Sequence, residues 1–168
     1  MKHFSTAFSV VLLCSFLLAS CGKTSQQQQM ESDLNKRVMQ MHDSEMVKMR
    51  QAQALDSQLD SAKILIDSLS AKFPKDFAGR TSDDIAQAKA KLETAQGAMR
   101  EWMSAHRPYD AELKHDVAMA KLNADVQDLM KVGTALDTAI VDATGTIENH
   151  RKIAAELLSK KAAKKSAK

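Results

Sequence analysis

Two groups of methionine and histidine side chains have the types and the spacing that could bind a soft metal ion. They recur every three or four residues, and their members are His42, Met46, Met49, Met99, Met103 and His106. Thioether and imidazole groups together are ligands for copper(I), or an axial pair for haem iron. Methionine also fills irregular gaps between helices and packs against aromatic rings such as Trp102. We therefore expect packing to be the main role of both groups, without a resident cofactor, and a ligand role is the alternative.

The sequence contains no arrangement that is typical of an enzyme. It has no Cys/His dyad, no nucleophile elbow, no glycine-rich phosphate loop, no HExxH motif and no CxxCH motif for haem attachment. The adjacent acids Asp83 and Asp84 are typical of a helix start, where the helix dipole favours negative charge. We expect His115 and His150 to be partly exposed at the edge of an apolar stripe. The sequence therefore predicts a protein that acts by interaction and not by catalysis.

The N-terminal residues have the organisation of an export signal. Lys2 precedes an uncharged, mostly apolar run over residues 4–18, and two small residues lead from this run to Cys21. The run is shorter than the ~20 residues that a membrane-spanning helix needs. We therefore predict that residues 1–20 are removed as a signal peptide, and Cys14 is removed with them.

The sequence Leu18-Ala19-Ser20-Cys21 resembles the lipobox of bacterial lipoproteins. In that family the signal is cut before the cysteine, here between Ser20 and Cys21, and the cysteine sulfur carries a diacylglyceryl group. The resemblance implies permanent anchoring, because each buried methylene of the acyl chains contributes ~0.8 kcal/mol. Gly22 follows where the enterobacterial sorting rule would need Asp for inner-membrane retention, which implies the outer membrane facing the periplasm. The alternative is an ordinary signal peptide with Cys21 present by chance.

The remainder of the chain is rich in helix-forming residues. Only 5 Gly and 2 Pro occur in 168 residues, which argues against a turn-rich β-sandwich. Apolar residues recur at alternating intervals of three and four, as on one face of a helix. We predict helices over residues 30–73, 82–107 and 110–158, with N-caps at Thr81 or Ser82 and at Asp110. A flexible tether over residues 21–29 and a basic tail over residues 159–168 complete the predicted organisation.

The heptad spacing of the stripes predicts an all-α fold, an elongated antiparallel three-helix bundle with coiled-coil-like packing. A hairpin of the first two helices would place His106 close to Met49. The helices differ in length, so parts of the first and third would project beyond the second with uncovered apolar stripes. Either the third helix breaks at Gly133 or Gly145, which gives four helices, or another chain covers the stripes.

Positive charge is concentrated at the C-terminus. The chain has 24 basic and 21 acidic residues, and its pI is about 8.8. Without Lys2 and the five tail lysines, 18 basic residues stand against 21 acidic ones, so a basic nucleic-acid-binding face is not expected. The tail could contact peptidoglycan, another anionic polymer or lipid headgroups, or be a solvated helix end. The tail lysines are Lys160, Lys161, Lys164, Lys165 and Lys168.

Methionine, histidine and tryptophan form one longer pattern across the first two predicted helices. Met41-His42-Asp43-x-x-Met46-x-x-Met49 is followed by Met99-x-x-Trp102-Met103. The pattern resembles a family of small helical lipoproteins of Gram-negative bacteria, some of which are labelled viral A-type inclusion protein. The resemblance covers roughly residues 38–145 and implies a helical lipoprotein, but it carries no activity that could be transferred.

Both ends of the chain together carry a second, looser resemblance. A lipidated cysteine, a heptad helix and a C-terminal Lys168 are similar to the murein lipoprotein of enteric bacteria, whose terminal lysine is joined to peptidoglycan. This resemblance implies an envelope tether that is attached through Lys168. Contact with another envelope protein and self-association are further alternatives for how the protein interacts.

The lipobox interpretation predicts that Cys21→Ala abolishes acylation, because alanine has no sulfur to receive the lipid. Cells that express the wild-type and the variant chain would be labelled with radioactive palmitate. We expect label in the wild-type band alone, and an uncleaved or soluble variant product. Cys14→Ala is the matched control and should leave labelling unchanged. Palmitate in the Cys21→Ala chain would show that Cys21 is not the acceptor.

Overall fold

The computed structural model describes residues 22–75 and 83–166. Within these two ranges the chain forms no strand, and its three helices are α1 (Ser25–Lys72), α2 (Asp83–Ala105) and α3 (His115–Ser166). Each helix packs against both of the others, which confirms the predicted all-α fold. No helix in the described ranges combines the length and the apolar character needed to cross a membrane.

The start of α1 lies five residues before the predicted one, because Thr24 caps the helix. The Gln27 amide donates to Thr24 Oγ1 at 3.2 Å, and the Thr24 amide donates to Gln27 Oε1 at 2.9 Å. This reciprocal capping box satisfies amide groups that a helix start otherwise leaves unpaired. The predicted flexible tether over residues 21–29 is therefore helical from Ser25 onward. Cys21 lies outside the described residues.

The start of α3 lies five residues after the predicted one, at His115. The predicted cap, Asp110, instead accepts a hydrogen bond from the Glu112 amide at 2.9 Å in the turn before the helix. The helix then continues to Ser166, so the described part of the predicted tail is helical. The predicted caps of α2, Thr81 and Ser82, lie outside the described residues.

Gly133 and Gly145 both lie inside the unbroken α3, so the four-helix alternative is wrong. A Cβ atom on Gly133 would lie only 2.9 Å from Oε1 of Glu45, a buried side chain of α1. Glycine in a helix interior is less favourable than alanine by about 1 kcal/mol. At this position the missing side chain makes room for the Glu45 carboxylate between two closely packed helices.

Side-chain pairs along the helices define their directions. Residue numbers rise together in the pairs Glu31–His115, Lys48–Asp137 and Gln58–Arg151, so α1 and α3 run parallel. From the pair His42–Trp102 to the pair Asp60–Lys89 the residue number rises in α1 and falls in α2, so α2 is antiparallel to α1.

The connection between α2 and α3 resolves the problem of uncovered stripes. Residues 106–114 contain no helix and lead from Trp102, beside His42, to His115, beside Glu31. The chain therefore moves along α1 before α3 begins, and the two long helices cover each other beyond both ends of α2. At the far end they share a small separate core of Ile66, Leu69, Ala154 and Leu157. The expectation that a helix break or a second chain must cover the stripes is therefore wrong.

Candidate functional site

The end of the molecule at the start of α1 contains a buried carboxylate with three donors. Glu31 is fully buried, and its partners come from three segments of the chain. Lys23 Nζ donates to Glu31 Oε2 at 2.6 Å, the Tyr109 hydroxyl donates to the same oxygen, and His115 Nδ1 lies 2.8 Å from Oε1. Lys23 Nζ also donates to the carbonyl oxygen of Ala111 at 2.7 Å. We call these five residues the anchor junction.

The charges of the anchor junction stabilise one another. Burial disfavours the charged form of Glu31, but the hydrogen bonds from Lys23, Tyr109 and His115 outweigh it and lower the Glu31 pKa to about 2. Burial also works against the charged Lys23 amine, and its contacts with Glu31 nevertheless raise the pKa of Lys23 above its ordinary value. The hydrogen bond to Glu31 raises the pKa of Tyr109. The junction is therefore an ion pair with a neutral phenol over the near-neutral pH range.

Trp102 is the centre of a second cluster, formed where α2 ends beside α1. Its ring centroid lies 4.6 Å from that of His106 in a stacked arrangement and 5.7 Å from that of His42 in a tilted one. His106 Nδ1 lies 3.3 Å from Asp125 Oδ2 of α3, and His42 Nδ1 lies 3.1 Å from Asp43 Oδ1. Trp102 Nε1 is buried without a hydrogen-bond partner, and the buried His106 Nδ1 and Asp125 Oδ2 lie close together without forming a hydrogen bond.

The methionines predicted to join this cluster have different surroundings. Met99 is fully buried and Met49 is buried, while Met46 is partly buried against the main core. Met103 is 37% exposed. His42 packs on Trp102, whereas the predicted hairpin placed Met49 beside His106, so the observed hairpin register differs from the predicted one. In the described ranges, no three side chains of His, Cys, Asp or Glu gather into a group that could hold a metal ion.

His150 of α3 is buried, so the prediction that it would be partly exposed is wrong. Its Nε2 lies 2.9 Å from each carboxylate oxygen of Asp84, in the first turn of α2. Its Nδ1 is buried without a partner. His115 is half-buried in the anchor junction. Asp84 therefore attaches the start of α2 to α3, in addition to the helix-start role predicted from its position.

An open groove runs between α2 and α3, which supply all of its lining residues. Its volume is about 700 Å³. Short side chains form most of its walls, with Lys91 and Lys131 at its edges. The remaining lining residues are Ala90, Thr94, Ala95, Thr134, Ala135, Thr138 and Ala139. The groove has room for an elongated apolar ligand, but it contains no buried polar group that would select one.

The tail lysines that the structure describes lie at the opposite end of the molecule from the anchor junction. Lys160 and Lys164 are exposed on α3. Lys161 Nζ instead lies over the Phe73 ring, 4.8 Å from its centroid. The side chain of Lys165, and the residues Lys168, Ser20 and Cys21, lie outside what the structure describes.

A periodicity that sequence reasoning did not use could have identified Glu31. Buried positions of α1 recur every seven residues at 31, 38, 45, 52, 59 and 66, and those of α3 include 122, 129, 136, 143, 150 and 157. Glu31, Glu45 and His150 are the charged or polar residues in these two series, and His115 begins the second one. A charged residue at a buried heptad position needs a partner, so these positions predict pairing between helices.

No protein-family model matches the chain, and no match is found among curated proteins or solved structures. The candidate sites are therefore interpreted from their own geometry and charge.

The Glu31 pKa predicts a specific loss of stability in acid. The unfolded carboxyl titrates near its ordinary value of 4.5 and the folded one at about 2. The unfolded chain therefore binds a proton first, and the Glu31 contribution, present above pH 4.5, disappears as the pH falls towards 2. Urea unfolding over this pH range should show a weaker acid dependence for Glu31→Gln than for wild type. The exposed control Glu112→Gln should behave as wild type, and equal slopes for all three chains would contradict the prediction.

The Trp102 cluster predicts a large difference between truncation and volume-conserving substitution. Trp102→Ala should destabilise the fold by roughly 3–5 kcal/mol because it leaves a cavity beside His42 and His106. Met99→Leu nearly conserves volume and should cost less than about 1.5 kcal/mol. Both changes are measured as free energies of unfolding in urea. A Trp102→Ala chain as stable as Met99→Leu would show that the cluster is not part of the core.

Proposed function

We propose that the protein is lipid-anchored at Cys21 in the outer membrane, faces the periplasm, and acts by contact with other envelope components without catalysis. The observation that carries the proposal is the placement of the two chain ends. Lys23, two residues after Cys21, lies at the start of α1, and the exposed Lys160 and Lys164 lie at the end of the parallel α3. A lipid anchor and a basic segment at opposite ends of the molecule are the arrangement expected of a spacer between a membrane and an anionic partner.

The length of α3 supports this interpretation. Its 52 residues extend for about 78 Å at 1.5 Å per residue. When the start of α1 is held at a membrane, the tail can therefore be presented far from that membrane. We propose that α1 and α3 pack in the manner of a coiled coil and form an elongated bundle, which would keep this separation fixed.

The tail suits an anionic partner, and peptidoglycan is the polymer that we favour. Lys160 and Lys164 are four residues apart in α3 and therefore lie on one face of the helix. Each basic residue contributes about 1 kcal/mol near an anionic surface, and salt weakens the attraction. A covalent bond through Lys168, as in the murein lipoprotein that the chain resembles, is the stronger form of the same contact. We also propose that the chain belongs to the family of small helical lipoproteins whose methionine, histidine and tryptophan pattern it resembles.

A metal carrier is the second candidate, because the structure brings His42 and His106 to the same indole ring beside buried methionines. Titrating the chain from Cys21, with its thiol blocked, against a copper(I) chelator tests it. We expect no measurable competition, because both imidazoles already lie beside carboxylates and pack on Trp102. Competition that is lost in Met46→Leu would establish the copper site instead. An ultraviolet-visible absorption spectrum of the purified chain tests whether it binds haem.

The proposed tail contact predicts charge-dependent binding to peptidoglycan. The quadruple variant Lys160→Gln, Lys164→Gln, Lys165→Gln and Lys168→Gln keeps Lys161, which packs on Phe73. In cosedimentation with purified sacculi, it should bind at least about tenfold more weakly than wild type at low salt. The matched control carries Lys36→Gln, Lys63→Gln, Lys114→Gln and Lys131→Gln, all at exposed positions.

The control chain should sediment as wild type does. Equal binding by all three chains would contradict a role for the tail. Mass spectrometry of digested sacculi then distinguishes the two forms of the contact, because a peptidoglycan peptide on Lys168 is found only if the bond is covalent.

A further inference from the structure

The anchor junction fixes the chain two residues after Cys21. Lys23 Nζ is held by the buried Glu31 carboxylate and by the Ala111 carbonyl, and only 12% of its side chain is exposed. Thr24 then caps α1 with a reciprocal pair of hydrogen bonds. The backbone position at residue 23 is therefore coupled to α1 and to the connection between α2 and α3.

This coupling limits how far the molecule can lie from a lipid on Cys21. Cys21 and Gly22 together extend for about 7 Å at most. The nearest part of the folded chain is the end that carries Lys23 and residues 109–112, because Lys23 contacts Ala111 and its Nζ lies 5.8 Å from the centre of the Tyr109 ring. A flexible tether of nine residues would have allowed any face of the molecule to reach the bilayer.

The charge of the molecule disfavours contact along its sides. Apart from Lys2 and the tail lysines, acidic residues exceed basic ones by 21 to 18. The junction end, residues 22–37 and 106–116, carries five basic and five acidic side chains, so the excess of acid lies along the rest of the body. Anionic headgroups attract basic segments and repel acidic ones.

We propose that the end of the molecule formed by the anchor junction rests on the phospholipid headgroups of the bilayer, with α1 and α3 directed away from it. The inference depends on the proposed lipidation of Cys21, and it names the surface that the lipid brings to the membrane. The hydrogen bonds of Lys23 to Glu31 and Ala111 are the contacts that set this orientation.

Energy transfer from single tryptophans to dansyl-labelled headgroups measures the orientation. In a Trp102→Phe background, Glu112→Trp reports on the junction end and Leu158→Trp on the far end, and both positions are exposed. Position 158 lies about 65 Å along α3 from its start. The lipidated chain is reconstituted in vesicles of phosphatidylethanolamine and phosphatidylglycerol that contain the dansyl lipid.

We expect transfer from position 112 to exceed transfer from position 158 at least about fivefold, because the length of the helices separates the far tryptophan from the headgroups. Equal transfer from both positions would show that the molecule lies along the bilayer and would overturn the proposal. Greater transfer from position 158 would overturn it in favour of tail contact with lipid.

A matched pair of variants tests the part played by the junction. Lys23→Met removes the contacts to Glu31 and Ala111 but keeps the Thr24 cap of α1 and the contacts of Glu31 with Tyr109 and His115. Circular dichroism and urea unfolding verify that the fold is retained. The variant should lower transfer from position 112 and raise transfer from position 158. Lys36→Met is the control, since Lys36 is exposed and pairs only with Asp33 within its own helix. Unchanged transfer in Lys23→Met would show that the junction does not set the orientation.

A second mode of attachment distinguishes this proposal from lipidation itself. The unlipidated chain from Cys21 has one thiol, which can be coupled to a maleimide headgroup on the same vesicles. If cells do not acylate Cys21, the proposed function fails while the coupled chain still reports the orientation. If cells acylate Cys21 but both chains give equal transfer from the two positions, lipidation stands and the end-on orientation fails.

Discussion

The axial register between α1 and α3 depends on the burial of a single carboxylate, that of Glu31. Its charge is retained in the folded protein only because Lys23, Tyr109 and His115 surround it. A slip of α3 by one heptad would place Leu122 where His115 now lies and leave the carboxylate short of a partner. Apolar heptad positions are interchangeable at such a slip, whereas charged ones are not. Buried polar groups at heptad positions are known to fix register in this way, at some expense in stability.

The other long-range pairs agree with the register that Glu31 sets. Glu45 fits against Gly133 because the glycine has no side chain. His150 of α3 pairs with Asp84 in the first turn of α2. These contacts place α2 alongside the middle of the two long helices, and residues 106–114 then run along the bundle to the start of α3. The exposed ion pairs, such as Lys89 with Asp56, add little to this alignment, since surface pairs contribute about 0–1 kcal/mol each.

The periodicity of the sequence was sufficient to predict the number of helices and most of their buried faces. Leu59, Leu92 and Leu129 are buried, and each lies on an apolar stripe that can be recognised from the sequence of its own helix alone. The register was beyond this reasoning, because it depends on pairs such as Glu31–His115 that join residues 84 positions apart. Helix starts were misplaced for a related reason: Asp110 is a good cap in isolation, but its carboxylate is used in a turn. The lipidation of Cys21 is predicted from a local motif, and the helices and their contacts do not test it.

The placement of the two chain ends has a mechanical consequence. A load applied between the start of α1 and the end of α3 pulls two parallel helices in opposite directions along their common axis. The force is then shared as shear by the contacts along their length, from Glu31–His115 at one end to the Leu69–Leu157 core at the other. Had α3 run antiparallel to α1, the same load would have peeled the contacts apart one after another. The folded chain should therefore resist extension between its ends better than an antiparallel pair of the same helices would.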